Sequence, residues 1–208
     1  MGLSRRSIQI VAFLGSPREG GNCDLLVEQI LDGVRSKSKS AMTEKVNLNQ
    51  LKISPCQACF EYDTPQEGKC KVNDDMAELY EKLEYADGII IATPIYFGGV
   101  SAQLKAFIDR WYCRYGWDFR NRLAPGKCGV TVLTWADPRN KILNVHYFVA
   151  DILKALMQQL GIEVVGELTV RGIGKKGEVL NFPDVMKRAF DLGVELIQAL
   201  EMPLKPKG

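Results

Sequence analysis

A chain of 208 residues favours one domain over two. Its 46% hydrophobic and 25% charged residues, with 9 prolines, exclude collagen-like, coiled-coil and largely disordered chains. The 27 Lys and Arg against 25 Asp and Glu leave a net charge of +2 with the basic residues scattered, and no apolar run is long enough to span a bilayer, so neither nucleic acid nor a membrane is expected as a partner.

Ser4-Arg5-Arg6-Ser7 superficially suggests a twin-arginine export signal, but the apolar run after it stops at Gly15-Ser16-Pro17 without a small-residue cleavage site. Ile8 to Leu14 reads instead as a first strand, continuously apolar and hence buried on both faces. A helix follows, with the stripe Val27/Ile30/Leu31/Val34, then a weaker strand around Val46 to Leu48. The connection 54–73 exceeds what joining needs and holds Cys56, Cys59 and Cys70. Met76/Leu79/Tyr80/Leu83 marks the next helix and Ile89 to Thr93 a second all-apolar strand, followed by a helix over Val100 to Arg110. A second long connection, 113–126, carries Tyr115, Trp117 and Phe119. Strands at Gly129 to Thr134 and Val164 to Val170 alternate with helices marked by Leu153/Leu156/Met157/Leu160 and Phe190/Gly193/Val194/Ile197, and the tail from Pro203 is expected to fray. Five strand and helix alternations predict a doubly wound α/β fold. It is expected as a single domain over 1–208, a five-stranded parallel sheet of order 2-1-3-4-5 with helices on both faces.

Gly15-Ser16-Pro17-Arg18-Glu19-Gly20-Gly21-Asn22-Cys23 lies between the first strand and its helix, where helix N–H groups and the dipole favour an anion. Ser16 and Asn22 can donate hydrogen bonds and Arg18 supplies a fork-shaped cation for phosphate oxygens. Neither a P-loop nor a G-x-G-x-x-G occurs in this turn. The one formal match to the latter, Gly172-Ile173-Gly174-Lys175-Lys176-Gly177, follows the last strand and reads as a flexible basic loop. After the third strand, Pro94-Ile95-Tyr96-Phe97-Gly98-Gly99 offers a stiff apolar ledge with exposed amides, suited to a flat isoalloxazine ring. In the order 2-1-3-4-5 both loops flank one crevice at the switch point.

Gly15-Ser16-Pro17-Arg18 with Gly21-Asn22, Asp74-Asp75-Met76, and Thr93 to Val100 with Ala102-Gln103-Leu104-Lys105 together resemble the NAD(P)H-dependent FMN reductases and iron-sulfur flavoproteins of flavodoxin-like fold. The resemblance covers most of residues 8–110. It implies non-covalent FMN, with Ser16, Arg18, Gly21, Asn22 and Cys23 at the phosphate and Pro94, Tyr96, Phe97, Gly98 and Gly99 beside the ring. It also implies NAD(P)H as electron donor and a homodimer or homotetramer. Position 23 in such a loop is usually a hydroxyl residue, and a thiol is a weaker partner for phosphate.

Iron-sulfur members of the family resemble C-x-x-C-x-x-C followed by a fourth Cys, whereas here Tyr62 stands in the third place, so an iron-sulfur cluster is not expected. Cys56 and Cys59 stay open between a dithiol pair and structural thiols, and the single histidine, His146, lies far along the chain from them for a zinc site. Six cysteines without an export signal are expected reduced, in the cytoplasm. The expected activity is an FMN-dependent oxidoreductase passing electrons from NAD(P)H to a small acceptor such as a quinone, a nitro or azo compound or free flavin, or to a protein. The alternative is an electron-transfer flavoprotein that does not itself oxidise NAD(P)H. The flavin carries the redox chemistry, so no catalytic side chain is assigned.

Overall fold

The computed structural model describes residues 6–59, 70–115, 121–137 and 145–202, the last stretch with side chains from 148 on. Tyr62, Trp117, Phe119, the His146 side chain and the tail from Pro203 lie outside the described residues.

Five parallel strands form the main sheet: β1 (Gln9–Leu14), β2 (Met42–Asn47), β3 (Gly88–Tyr96), β5 (Lys127–Trp135) and β6 (Ile162–Arg171). Their order is β2-β1-β3-β5-β6, and a two-residue strand, β4 (Gly99–Val100), folds back antiparallel on the end of β3. Among the long strands this is the expected arrangement, and β4 is the addition. It takes the residues at which a helix was expected to start, so that α3 (Ala102–Asp109) begins later, capped by the Ser101 hydroxyl, which accepts from the Leu104 N–H.

The apolar runs become the buried interior strands: β1, β3 and β5 have almost no exposed position. The second strand gave a weak signal because β2 is an edge strand with a single fully buried residue, Val46. One face of the sheet is covered by α1 (Asn22–Lys37) and α6 (Pro183–Glu201). The other carries α2 (Met76–Tyr85), α3 and α5 (Val145–Gln159), with Phe13 stacked on Phe107 at 4.7 Å. The aromatic connection after α3 starts as a short helix, α4 (Tyr112–Tyr115), rather than as loop. Pro183 opens α6, where its missing N–H costs nothing. Among the described residues no helix is long and apolar enough to cross a membrane.

α1 and α6 meet through glycines. A methyl on Gly193 would run into the Ile30 carbonyl, and one on Gly33 into the Phe190 carbonyl, so the two backbones touch without intervening side chains. On the opposite face, Arg110 is buried and closes the neck of the cysteine loop. Its Nη1 donates to Asp74 Oδ2 at 2.8 Å and to the Ser54 carbonyl at 2.9 Å, while Nη2 reaches Asp74 Oδ1 at 3.2 Å and the Val72 carbonyl at 3.3 Å. Asp74 also accepts from the Ser54 N–H at 2.9 Å, so one ion pair holds both ends of the 54–73 connection.

Candidate functional site

The register between β1 and β3 sets Leu14 level with Ala92, which places the two succeeding loops side by side at the carboxyl edge of the sheet. The Gly15 N–H donates to the Ala92 carbonyl at 2.8 Å and the Ser101 hydroxyl to the Gly15 carbonyl at 2.6 Å, fixing one loop to the other. β2 lies on one side of β1 and β3 on the other, so this is the switch point, and a half-open cavity of about 310 Å³ lies there.

Ser16, Arg18, Asn22 and Cys23 line the cavity from the first loop, and Pro94, Tyr96 and Phe97 from the second. Gly21, Gly98 and Gly99 do not line it; they form the turns that aim their neighbours. Among the described residues no side chain caps α1, and Gly21 enters it extended, so the first-turn N–H groups are left without a side-chain partner where Asn22 and Cys23 line the cavity. Ser16 is buried, its oxygen accepting from the Arg18 N–H at 3.2 Å.

Two side chains expected to reach outward are committed inward. Asn22 Nδ2 donates to the Lys175 carbonyl at 3.0 Å and the Ile173 carbonyl at 3.4 Å, and its Oδ1 accepts from the Val179 N–H at 3.1 Å. Its amide N–H groups and one lone pair of its oxygen go to bracing the segment after β6. Cys23 Sγ lies 3.1 Å from Thr134 Oγ1, and burial pushes the thiol up to about 12, an effect the Thr134 hydrogen bond only partly offsets, so it stays protonated at neutral pH.

Two walls escaped the sequence reading. Thr134 to Asp137, at the end of β5 and just beyond it, and Ile173 with Gly174, after β6, complete the cavity. The glycine-rich segment 172–177, expected as a flexible basic loop, is tied down by Asn22, by Arg18 Nη1 donating to the Gly174 carbonyl at 2.8 Å, and by Glu178, whose carboxylate accepts from the Gly174 and Lys175 N–H groups at 2.8 Å each. The available signal was positional: these residues follow the last two parallel strands, whose carboxyl ends share one edge of the sheet.

The ledge is a tight hairpin. Tyr96 pairs with Gly99 across Phe97-Gly98, whose φ values are +48° and +84°. Two positive φ angles give the turn whose twist matches the flanking strands, a place where Asn-Gly is favoured and a phenylalanine is strained. The Phe97 side chain is fully exposed, so it gains no burial to offset that strain.

A parallel sheet whose switch-point loops offer an uncapped helix end beside a flat apolar ledge defines the flavodoxin-like class of nucleotide-binding α/β proteins. Residues 8–165 match the family described as NADPH-dependent FMN reductase. Similar curated proteins include an iron-sulfur flavoprotein of Methanocaldococcus jannaschii, 36% identical over 142 residues that cover 68% of this chain and 71% of that one. An iron-sulfur flavoprotein of Archaeoglobus fulgidus is 30% identical across 93% of this chain and 81% of its own length. Among solved structures, an NAD(P)H:quinone oxidoreductase from Methanothermobacter marburgensis superposes with a TM-score of 0.69 at 17% identity, covering 92% of this chain and 98% of that one, a likeness of fold. The chain belongs to the NADPH-dependent FMN reductase family and is a flavin-type oxidoreductase.

Proposed function

We propose that the switch-point cavity holds FMN non-covalently and that the protein oxidises NAD(P)H at the expense of a small acceptor, a quinone, a nitro or azo compound or free flavin. The observation that carries this reading is the uncapped start of α1 opening into a cavity walled by the loops after four parallel strands. The residues present suit the cofactor. Ser16, Arg18 and the first-turn N–H groups from Asn22 onward would hold the phosphate, with Gly21 letting the backbone approach. The Pro94–Gly99 ledge would lie along the ring, with Pro94 stiffening it and the turn at Phe97, Gly98 and Gly99 setting where it ends, Tyr96 and Phe97 both facing the cavity. FMN, when bound, supplies the hydride-accepting and electron-releasing chemistry. The chain's own part is to orient the ring, keep the phosphate charge partnered and narrow the access of water. Cys23, a protonated thiol bonded to Thr134, takes no proton and acts as packing.

A four-iron cluster takes four thiolates, and the 54–73 connection offers three, Cys56, Cys59 and Cys70. With Tyr62 in the third ligand position, the chain is expected to carry flavin without a cluster. An absorbance spectrum with flavin, iron and acid-labile sulfide quantified tests both statements: about one flavin and negligible iron per chain are expected. Absence of flavin after FMN is added would overturn the cofactor assignment, and stoichiometric iron and sulfide the second statement. Steady NADPH oxidation by the loaded protein separates the reductase from a bare electron carrier.

The strained ledge yields a further expected result. Phe97→Asn should raise stability by about 1 kcal/mol, since Asn tolerates a positive φ. It should also raise KM for a planar quinone several-fold, by removing an exposed aromatic surface from the cavity mouth. An unchanged KM would place the ring outside the acceptor's path. For the whole chain, 1–208, we propose one flavin-binding domain that assembles as a homodimer or homotetramer. Exposed Phe148 and Ile152, one turn apart on α5, and half-exposed Tyr112 on α4 support that assembly.

A further inference from the structure

We propose that Lys176, from the segment after β6, is a phosphate-binding residue that closes over the phosphate end of the cavity opposite Arg18. This rests on the cavity being the FMN site. In sequence Arg18 and Lys176 are far apart and nothing pairs them; in the fold the two loops are joined. Arg18 Nη1 donates to the Gly174 carbonyl at 2.8 Å, and Asn22 holds the Lys175 carbonyl at 3.0 Å, so Lys176 follows directly on two fixed points. Its side chain lies against Gly20, beside the residues that line the cavity and not among them: a Cβ built on Gly20 would stand 3.2 Å from Lys176 Cε and 3.6 Å from its Nζ.

Two of the nearby acids are engaged elsewhere, and the exposed Glu19, beside Gly20, forms no ion pair among the described residues. Glu178 accepts from two backbone N–H groups, at Gly174 and Lys175. Asp24 pairs with Lys45 at 2.6 Å and accepts from the Gly20 N–H at 2.7 Å. No carboxylate among the described residues pairs with Lys176. The demand for a cation at this point is also visible. The Asn22 amide and the Cys23 thiol, which would otherwise be the loop's side-chain donors to a phosphate, are spent on Ile173, Lys175, Val179 and Thr134. What remains at the helix end is the Ser16 hydroxyl, backbone N–H groups and two cations, one from each loop, for a dianionic phosphomonoester.

Titrating flavin-free protein with FMN and with riboflavin, which differ only by the phosphate, tests the assignment through binding affinity. Lys176→Gln is expected to weaken FMN about tenfold, the scale of a charge-assisted hydrogen bond, and to leave riboflavin unchanged. Lys176→Arg is expected to retain most of the FMN affinity. Lys175→Gln, which removes the same charge one residue away, is expected to leave FMN binding within about twofold, as for a charge acting through solvent. Equal weakening of both flavins by Lys176→Gln, or no effect on FMN, would overturn the proposal, and an equal loss in Lys175→Gln would replace a contact with a diffuse field. If the unsubstituted protein binds neither flavin, the cofactor reading itself fails. If it prefers FMN over riboflavin and Lys176→Gln is silent, only the role of Lys176 fails. Titrating the unsubstituted protein and Lys176→Gln with NADPH and with NADH guards the source of the phosphate: a selective loss of NADPH affinity with FMN affinity intact would overturn the assignment in favour of the donor's 2′-phosphate.

Discussion

Arg110→Met is expected to lower the free energy of unfolding by about 4 kcal/mol, the scale of a buried ion pair broken on one side. For a chain of this length that is a fall in Tm of roughly 8–16 °C. The guanidinium is essentially inaccessible, with the Asp74 carboxylate scarcely more exposed, so removing the cation strands a negative charge just ahead of α2 together with the Ser54 and Val72 carbonyls. The pair also carries a pH signature. Burial pushes the Asp74 carboxyl up, but hydrogen bonds from Arg110 and from the Ser54 and Met76 N–H groups outweigh it and hold the group below the usual carboxylate range. A depressed folded pKa means that the stabilisation is complete above about pH 4, where the unfolded aspartate is ionised, and is lost as pH falls toward the folded value. Urea unfolding between pH 7 and pH 3 should therefore show a stability loss that is smaller in Asp74→Asn, the remainder falling to Glu28, Glu44 and Glu178, whose carboxyls are also held low. Equal acid sensitivity in the two proteins would assign the loss to other carboxylates. Because Arg110 holds Ser54 and Val72 at once, its removal should also speed proteolysis within 54–73 while cleavage elsewhere changes less.

Gly193→Ala is the second large effect, expected at about 3 kcal/mol. A single methyl has no space between the α6 and α1 backbones, since the atom that it meets is the Ile30 carbonyl oxygen and not a side chain able to rotate away. The helices must part, opening a core that includes Leu26, Ile30, Leu192 and Leu196. The consequence reaches the site because the loop proposed to hold the phosphate leads directly into α1. FMN affinity should fall together with thermal stability, whereas Leu200→Ala, at the far end of α6, should leave FMN affinity unchanged. Calorimetry and a flavin titration on the same preparations check both halves. Unchanged stability in Gly193→Ala would mean that the crossing has slack that the packed geometry does not show.

Two loops of the site could be read directly from the residues. Gly15 to Cys23 and Pro94 to Gly99 each follow a continuously apolar strand, and a buried parallel strand can deliver its next loop only to the carboxyl edge of the sheet. The alternation of strand and helix, the two all-apolar strands and the poor signal of the edge strand β2 were legible for the same reason: burial on two faces, on one or on neither writes itself into the spacing of apolar residues. Local sequence also marked the cysteine connection as unusual and its third ligand position as a tyrosine.

What no local pattern could supply was the partner of each polar side chain. Asn22 looks like a phosphate donor in its own loop and becomes a brace for Ile173, Lys175 and Val179, more than 150 positions away in the chain. Arg110 is one basic residue among 27 until the fold brings it to Asp74, and Lys176 belongs to an unremarkable basic loop until that loop is laid over Gly20. Apolar periodicity records how much water a residue loses, a property each position carries by itself, and so the sequence determined the layers, the strand interior and the edge at which a cofactor would sit. A hydrogen bond or an ion pair is directional and short, so which residues share one was decided only when the chain closed on itself.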